Sequence, residues 1–394
     1  MEPFTINIQQ SILDDLKRRI ANTRWTDEIE NSGWAYGTNR SYLMELCQYW
    51  VDSFDWRKQE VYLNSYSHFK TTVDGLGIHY IHHRGESKDP VPILLSHGWP
   101  DSFVRFLKII PLLTKEDEQG LSFDVVVPSI PGYGFSDIPH SPGMDKKRVA
   151  ELFAKLMTGK LGYTKFIAQG GDWGAGITEQ IGRHHAKSVF GIHLTDVPFE
   201  HAMVEPKDAS EAERAYFEAS KKWQTKEGAY NMIQNTKPQS LAYGLNDSPA
   251  GLAGWMIEKF RSWSDNDGDL ETVFTKDELL TNLTIYWATQ TIHSSIRIYY
   301  ESMKTVMDAM QSDAFENTGS RPDVPAAFAV FPKDPAKPPK DLADRFFNVQ
   351  QWNEFSAGGH FAAMEQPEML AEDIRKFANW ILDESNIQYP ASGI

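Results

Sequence analysis

The sequence predicts an α/β protein: a mostly parallel sheet with helices on both faces, interrupted by a helical insertion and preceded by a helical extension. Three observations predict it. Between residues 76 and 198, short apolar runs bounded by turn-forming residues alternate with helix-length segments, the pattern of strands buried on both faces. Near residue 198 the alternation stops, and no strand-like run returns until 326–331. Finally, 394 residues of which 41% are hydrophobic and 12% aromatic supply a large core, enough for two or three domains or one domain with insertions.

The elements follow in order. In residues 1 to about 75, Ile12, Leu13, Leu16 and Ile20, then Leu43, Leu46, Trp50 and Phe54, fall at helical spacing. This segment has no alternating strands, and it reads as an extension packed around the domain that follows. Residues 79–82 read as a strand, and Arg84-Gly85-Glu86-Ser87-Lys88-Asp89-Pro90 as a turn. Strands are expected at 91–95, 123–127, 166–168 and 189–194, with a helix carrying Val149, Leu152, Phe153, Leu156 and Met157 between them. Residues 199–320 form a helical block rich in Trp, Tyr and Met, in which Ser264-Asp265-Asn266-Asp267-Gly268-Asp269 reads as a solvated loop. A last strand at 326–331 and a helix over 367–382 complete the sheet domain. The expected units are therefore 1–75, 76–198, 199–320 and 321–394.

Composition excludes several function classes. With 39 basic against 54 acidic side chains the net charge is −15, which argues against phosphate backbones and anionic membrane surfaces. The single cysteine, Cys47, excludes an internal disulfide framework and a Cys-rich zinc module, and it reads as a small buried hydrophobe. Met1-Glu2-Pro3-Phe4-Thr5-Ile6-Asn7 lacks the pattern of a secretory signal. No run of about 18 apolar residues occurs, so no membrane-spanning helix is expected. The expectation is a soluble, cytoplasmic protein that binds no nucleic acid.

The window Phe166-Ile167-Ala168-Gln169-Gly170-Gly171-Asp172-Trp173-Gly174-Ala175-Gly176 carries the most chemistry. A strand runs into small residues around one polar side chain and opens into a helix. That is the pattern of a nucleophile elbow, a turn so crowded that it demands glycine or alanine beside the nucleophile. The central residue is Asp172, a poor group for attacking amides but a good one for displacement at an sp³ carbon. Its product is an ester that water must cleave. A phosphate loop or an ordinary strand-to-helix turn fits the same window, although no Gly-Lys-Ser/Thr follows and an acid would repel phosphate.

Leu95-Ser96-His97-Gly98-Trp99-Pro100 directly follows a strand. In an elbow fold this loop gives one oxyanion-hole amide and the residue after the nucleophile gives the other, by position Trp99 and Trp173. His97, at a strand end, reads as a structural hydrogen-bonder. Ser356-Ala357-Gly358-Gly359-His360-Phe361 places a histidine on a late glycine-rich loop, matching the order nucleophile, acid, histidine. The acid belongs after the penultimate strand, where Asp334 stands; Asp196, after an earlier strand, is the weaker candidate. His79, His82, His83, His184 and His185 suit surface or satisfied-core roles.

On these residues the chain resembles the epoxide hydrolases of the α/β-hydrolase fold, specifically the microsomal-type subgroup with an N-terminal extension. The resemblance covers nearly the whole chain. Glu2-Pro3-Phe4, Leu16-Lys17-Arg18-Arg19-Ile20 and Thr23-Arg24-Trp25 are similar to that extension. His97-Gly98-Trp99-Pro100, Gly170-Gly171-Asp172-Trp173-Gly174 and Gly358-Gly359-His360-Phe361-Ala362-Ala363 are similar to the oxyanion, nucleophile and histidine motifs. Tyr230-Asn231-Met232-Ile233-Gln234-Asn235-Thr236-Lys237-Pro238 and Asp247-Ser248-Pro249-Ala250-Gly251-Leu252 resemble the subgroup's lid.

The resemblance implies two lid tyrosines that hydrogen-bond the epoxide oxygen. The first maps onto Tyr230; the second falls in Arg297-Ile298-Tyr299-Tyr300-Glu301, where Tyr299 matches better than Tyr300. Tyr300, Pro100 and Phe361 are further candidates for contacting substrate. Two departures stand out: Asp334 occupies a position where close relatives often carry Glu, and no membrane anchor like that of mammalian members is expected, which implies a soluble enzyme.

The implied reaction is epoxide to vicinal diol through a covalent ester of Asp172, hydrolysed by water that His360 and Asp334 activate, with no metal or organic cofactor. The implied partners are a hydrophobic epoxide, water and, as in relatives, a second copy of the chain. A haloalkane or haloacid dehalogenase would use the same Asp-His-acid set and would release halide. A hydrolase fold retained only for binding is the alternative outside catalysis.

Overall fold

The nine strands found among residues 2–310, 321–335 and 337–385, which the computed structural model describes, build one sheet. They are β1 (Glu2–Pro3), β2 (His68–Val73), β3 (Leu76–His83), β4 (Val91–Ser96), β5 (Phe123–Pro128), β6 (Phe166–Gly170), β7 (Val189–Leu194), β8 (Pro325–Val330) and β9 (Asn348–Glu354). Their spatial order is β1-β2-β3-β5-β4-β6-β7-β8-β9. The pairs β1·β2, β2·β3 and β3·β5 are antiparallel, and every pair from β5 to β9 is parallel.

The continuous apolar runs have a direct cause. β4 and β5 are buried at every position, because helices cover both faces and neither side chain direction meets water. β7 makes this concrete. A Cβ on Gly191 would press on Phe377 and Ile381 of the helix Pro367–Ser385, whereas Ile192 reaches Gly182 of the helix Trp173–His184. Successive strand residues point to opposite faces, so these helices flank the sheet on either side.

Two expectations need correction. Residues 1–75 are not wholly helical: besides the helices Gln10–Ala21, Arg40–Asp52 and Trp56–Leu63 they contribute β1 and β2 to the antiparallel edge. β9 was also not anticipated. Its sequence Asn348-Val349-Gln350-Gln351-Trp352-Asn353-Glu354 is only half-buried along its length, so an edge strand there carries no apolar run to betray it.

The helices of the described part of 199–320 include Glu211–Glu227, Ala229–Thr236, Pro238–Asp247, Pro249–Trp263, Lys276–Thr289 and Ile292–Met310. Capping boxes start two of them, Ser210 with Glu213 and Thr275 with Glu278. The extension braces this layer: Trp50 Nε1 donates to Thr284 Oγ1 at 3.0 Å, Tyr49 Oη to Asp277 Oδ1 at 3.0 Å, and Arg19 Nη1 to the Asp247 carbonyl at 2.8 Å. Cys47 is buried, and burial pushes its thiol up to about 12. The expected limits at residues 320 and 394 lie outside the described residues. Among the described residues no helix is long and apolar enough to cross a membrane.

Candidate active site

Trp99, Asp172, Asp334 and His360 converge at the C-terminal edge of the parallel strands, just beyond the ends of β4, β6 and β8, where loops leave a shared crevice. β6 ends at Gly170 and the helix Trp173–His184 begins at Trp173, so Asp172 must turn the chain within two residues. It does so at φ 57°, ψ −131°, a strained geometry for a non-glycine residue. Its N–H donates to Asp196 Oδ2 at 2.7 Å. The flanking glycines are steric necessities. A Cβ on Gly174 would lie 1.9 Å from the Ser96 carbonyl at the end of β4, and one on Gly98 would lie 2.2 Å from Asp172 Oδ1.

The Asp172 carboxylate is divided between two partners. Oδ1 accepts the Trp99 N–H at 2.8 Å, and Oδ2 is 3.2 Å from His360 Nε2. On its other side His360 Nδ1 is 3.0 Å from Asp334 Oδ2, Asp334 standing on the turn after β8. Burial would push the Asp172 carboxyl up, but the hydrogen bond and charge of His360 and the amides of Trp99 and Trp173 hold it below the usual carboxylate range. Burial likewise opposes charge on His360, yet the carboxylates of Asp334 and Asp172 outweigh it and raise the imidazole well above its ordinary value.

Next to this set lies a cavity of about 160 Å³ lined by Asp172, Trp173, Tyr230, Trp263, Tyr299 and His360, among others. The rings of Tyr230 and Tyr299 are 6.3 Å apart and nearly perpendicular. Both phenols are pushed up, by burial first; the Asp172 charge adds to this for Tyr230, and the Tyr230 phenol and the Asp172 charge for Tyr299. They are therefore protonated donors at neutral pH.

The three remaining candidates stand elsewhere. Tyr300 is 43% exposed and does not line the cavity. Neighbours on a helix point about 100° apart, so with Tyr299 facing inward Tyr300 faces out. Pro100 is buried outside the cavity, and its carbonyl accepts from Asn282 Nδ2 at 2.8 Å, tying the loop to the helix Lys276–Thr289. Phe361 is core, its ring stacked on Phe260 at 4.4 Å. His97 is structural: Nδ1 is 3.0 Å from the Gly98 carbonyl and Nε2 accepts the Ile130 N–H at 3.2 Å.

Sequence reasoning missed the supports behind the site. Asp101 and Arg105, 1% and 3% exposed, form a buried ion pair. Asp101 Oδ1 accepts the Gly98 N–H at 3.0 Å, and Arg105 Nη2 donates to the His360 carbonyl, so one pair joins the loop after β4 to the histidine loop. The stretch 264–269 is a further correction. The loop is solvated only over its second half, Asp267-Gly268-Asp269; its first half has buried Ser264 and Asn266 and holds the histidine loop through Asp265 Oδ2, which accepts the Gly358 N–H at 2.9 Å. Glu365 closes this contact by accepting the N–H groups of Asp265 and Phe361, both at 2.8 Å. These polar groups satisfy backbone instead of meeting water.

Among the described residues, two clusters place acid and histidine donors close enough for a cation, Glu179 with Glu200 and His201, and Asp196 with Asp334 and His360. In the first, Arg183 and Lys146 already pair with Glu179 and Glu200. In the second, Asp334 and His360 bond to each other.

Comparison with known proteins follows the same lines. A family model described as "Epoxide hydrolase N terminus" matches residues 1–106, and one described as "alpha/beta hydrolase fold" matches residues 91–229. The chain is 38% identical over 406 residues to epoxide hydrolase 1 of Sus scrofa, covering 96% of this chain and 88% of that protein. Among solved structures it is similar to the juvenile hormone epoxide hydrolase of the silkworm Bombyx mori, with TM-score 0.88 and 31% identity over 98% of this chain and 95% of that one. It is also similar to the Aspergillus niger epoxide hydrolase, with TM-score 0.83 and 30% identity over 96% of each chain.

Proposed function

The chain belongs to the epoxide hydrolase family, and from that premise we propose that Asp172 opens an epoxide by forming an ester, which water activated by His360 then hydrolyses. The observation that carries this reading is the divided carboxylate. Oδ1 rests on the Trp99 amide while Oδ2 faces His360 and the cavity. Oδ2, held only by His360, is thus the oxygen that attacks, and Oδ1 already sits where the oxyanion of ester hydrolysis develops.

Oδ2 attacks one epoxide carbon, the carbon–oxygen bond breaks, and Tyr230 and Tyr299 donate hydrogen bonds to the departing oxygen, which takes up a proton from solvent while the His360 imidazolium gives one back. Forming the ester removes the Asp172 charge, one of the two that hold a proton on His360, so the imidazole loses proton affinity at the step that needs a base. His360, oriented by Asp334, takes a proton from water, and the resulting hydroxide adds to Cγ of Asp172. The oxyanion on Oδ1 meets the amides of Trp99 and Trp173, each such donor being worth ~3–4 kcal/mol. Collapse releases the diol and restores the carboxylate.

Two phenols lining the cavity favour an epoxide over a haloalkane, because an alkoxide needs a proton and a departing halide does not. The aromatic lining supports a hydrophobic substrate. A cytoplasmic location and, on the family resemblance, a homodimer belong to the same proposal; fractionation and light scattering test these. Single-turnover hydrolysis of styrene oxide in ¹⁸O-water tests the chemistry. Label should enter the Asp172 carboxylate while the first-turnover diol stays unlabelled. Label found directly in that diol, with none in the peptide, would overturn the ester.

A further inference from the structure

Three carboxyls, of Asp172, Asp196 and Asp334, lie beside His360, and the scheme above employs two. The third, Asp196, follows β7, is 4% exposed and lines the same cavity. One of its carboxylate oxygens, one of Asp334 and a ring nitrogen of His360 lie within 4.8 Å of one another. Asp172, Asp334, His360, Arg105 and Tyr216 are the charged and titratable groups that act on it or that it acts on.

Accepting the Asp172 N–H needs no charge, since an Asn, Ser or Thr oxygen would do the same. A third carboxyl beside two others is costly to ionise, and burial together with Asp334 pushes Asp196 up to about 7. The balance changes during turnover. When Asp172 becomes an ester, a negative charge next to Asp196 disappears and its ionisation becomes easier. In the following step His360 gains a proton, and a second carboxylate within reach of the ring then faces an imidazolium.

We propose that Asp196 is a second carboxylate partner of His360, sharing with Asp334 the stabilisation of the imidazolium during ester hydrolysis while it holds the elbow amide. This makes Asp196 a positioning residue that acts through His360, and it rests on the ester mechanism proposed above.

Single-turnover kinetics on styrene oxide, with the ester followed by rapid quench and intact mass, separates the two ideas. The variants are His360→Gln, Asp334→Asn, Asp196→Asn and the double Asp196→Asn/Asp334→Asn; Asn keeps the acceptor for the Asp172 amide and removes the charge. His360→Gln should accumulate ester. If it does not, the ester mechanism itself fails, whatever Asp196 does. Losing the sole carboxylate beside a catalytic histidine costs ~10⁴-fold. With Asp196 in place, Asp334→Asn should slow ester hydrolysis only ~10–100-fold, Asp196→Asn ~3–10-fold, and the double variant ~10⁴-fold, beyond the product of the singles. Ester formation should stay within ~3-fold throughout, whereas a packing defect would slow both steps. A double variant equal to the product of the singles overturns the shared role, and so does an Asp334→Asn variant that hydrolyses its ester no faster than His360→Gln. That last comparison decides alone if Asp196→Asn does not fold.

Discussion

Gly98→Ala places one methyl group against Asp172, the proposed nucleophile. The added Cβ would lie 2.2 Å from Asp172 Oδ1, 2.4 Å from its Cβ and 2.6 Å from its Cγ, where contacts below 3.0 Å essentially never occur. A rotation of the carboxylate alone cannot relieve this, because the Asp172 Cβ is itself too close and the residue is already held at φ 57°. The whole side chain must retreat by roughly 0.6 to 0.8 Å, which stretches the 2.8 Å bond from Trp99 N–H to Oδ1 past useful length.

Both chemical steps should suffer. A misplacement of ~1 Å costs ~10²-fold in reactions that depend on alignment, which sets the loss in ester formation. Losing an oxyanion donor costs ~10²–10³-fold, which sets the loss in ester hydrolysis. The crowding should cost ~1–3 kcal/mol of stability. Rapid-quench single turnovers give the two rates, and denaturant titration gives the stability. If G98A formed and hydrolysed its ester within ~3-fold of wild type, the divided carboxylate would not be the working geometry.

Other perturbations test neighbouring parts. Tyr230→Phe and Tyr299→Phe should each slow ester formation ~10²–10³-fold, whereas Tyr300→Phe, on an exposed ring, should leave it unchanged; a slow Tyr300→Phe would reverse the assignment. Arg105→Met strands the buried Asp101 carboxylate and should cost ~3–5 kcal/mol by denaturant titration, with Asp101→Asn in the same chain restoring much of it; a neutral single variant would refute the pairing. Ester formation needs Asp172 ionised, and its carboxyl is held below the usual range; it also needs protonated tyrosines, and both are pushed above theirs. Neither Asp172 nor the phenols should therefore impose a limb between about pH 4 and about pH 10; the rate falls on the acid side as Asp172 protonates and on the alkaline side as the phenols ionise. An alkaline limb near pH 8 in single-turnover ester formation would contradict this.

The parallel centre of the sheet was legible because burial on two faces writes itself as unbroken apolar runs, as in β4 and β5. The sheet's edges were not. β1 has two exposed residues, and β9 alternates nothing, so both depend on backbone pairing that sequence does not display. The helical block was legible by the same logic in reverse, through the lack of strand-like runs, although not the way Trp50, Tyr49 and Arg19 reach across from the extension to hold it.

Within the site, what could be read divides along a physical line. Asp172, His360 and the Trp99 amide were found because close approach of backbone to carboxylate requires glycine nearby, and Gly98 and Gly174 record that crowding in the sequence. Residues that hold the site by other means leave no such record. The Trp263 carbonyl accepts the His360 N–H at 2.8 Å, a bond that any side chain at 263 would permit. Asp101 and Arg105 stand four apart, a spacing that is usual for exposed helical ion pairs, and only their burial makes them a joint between two catalytic loops. Tyr299 and Tyr300 differ by one step of helix phase, which no local motif can resolve when both neighbours are aromatic. The sequence therefore shows where the chain had to be thin. The polar partners that keep the thin places in register become visible only once distant segments, such as 98–105, 263–265 and 358–365, are brought together.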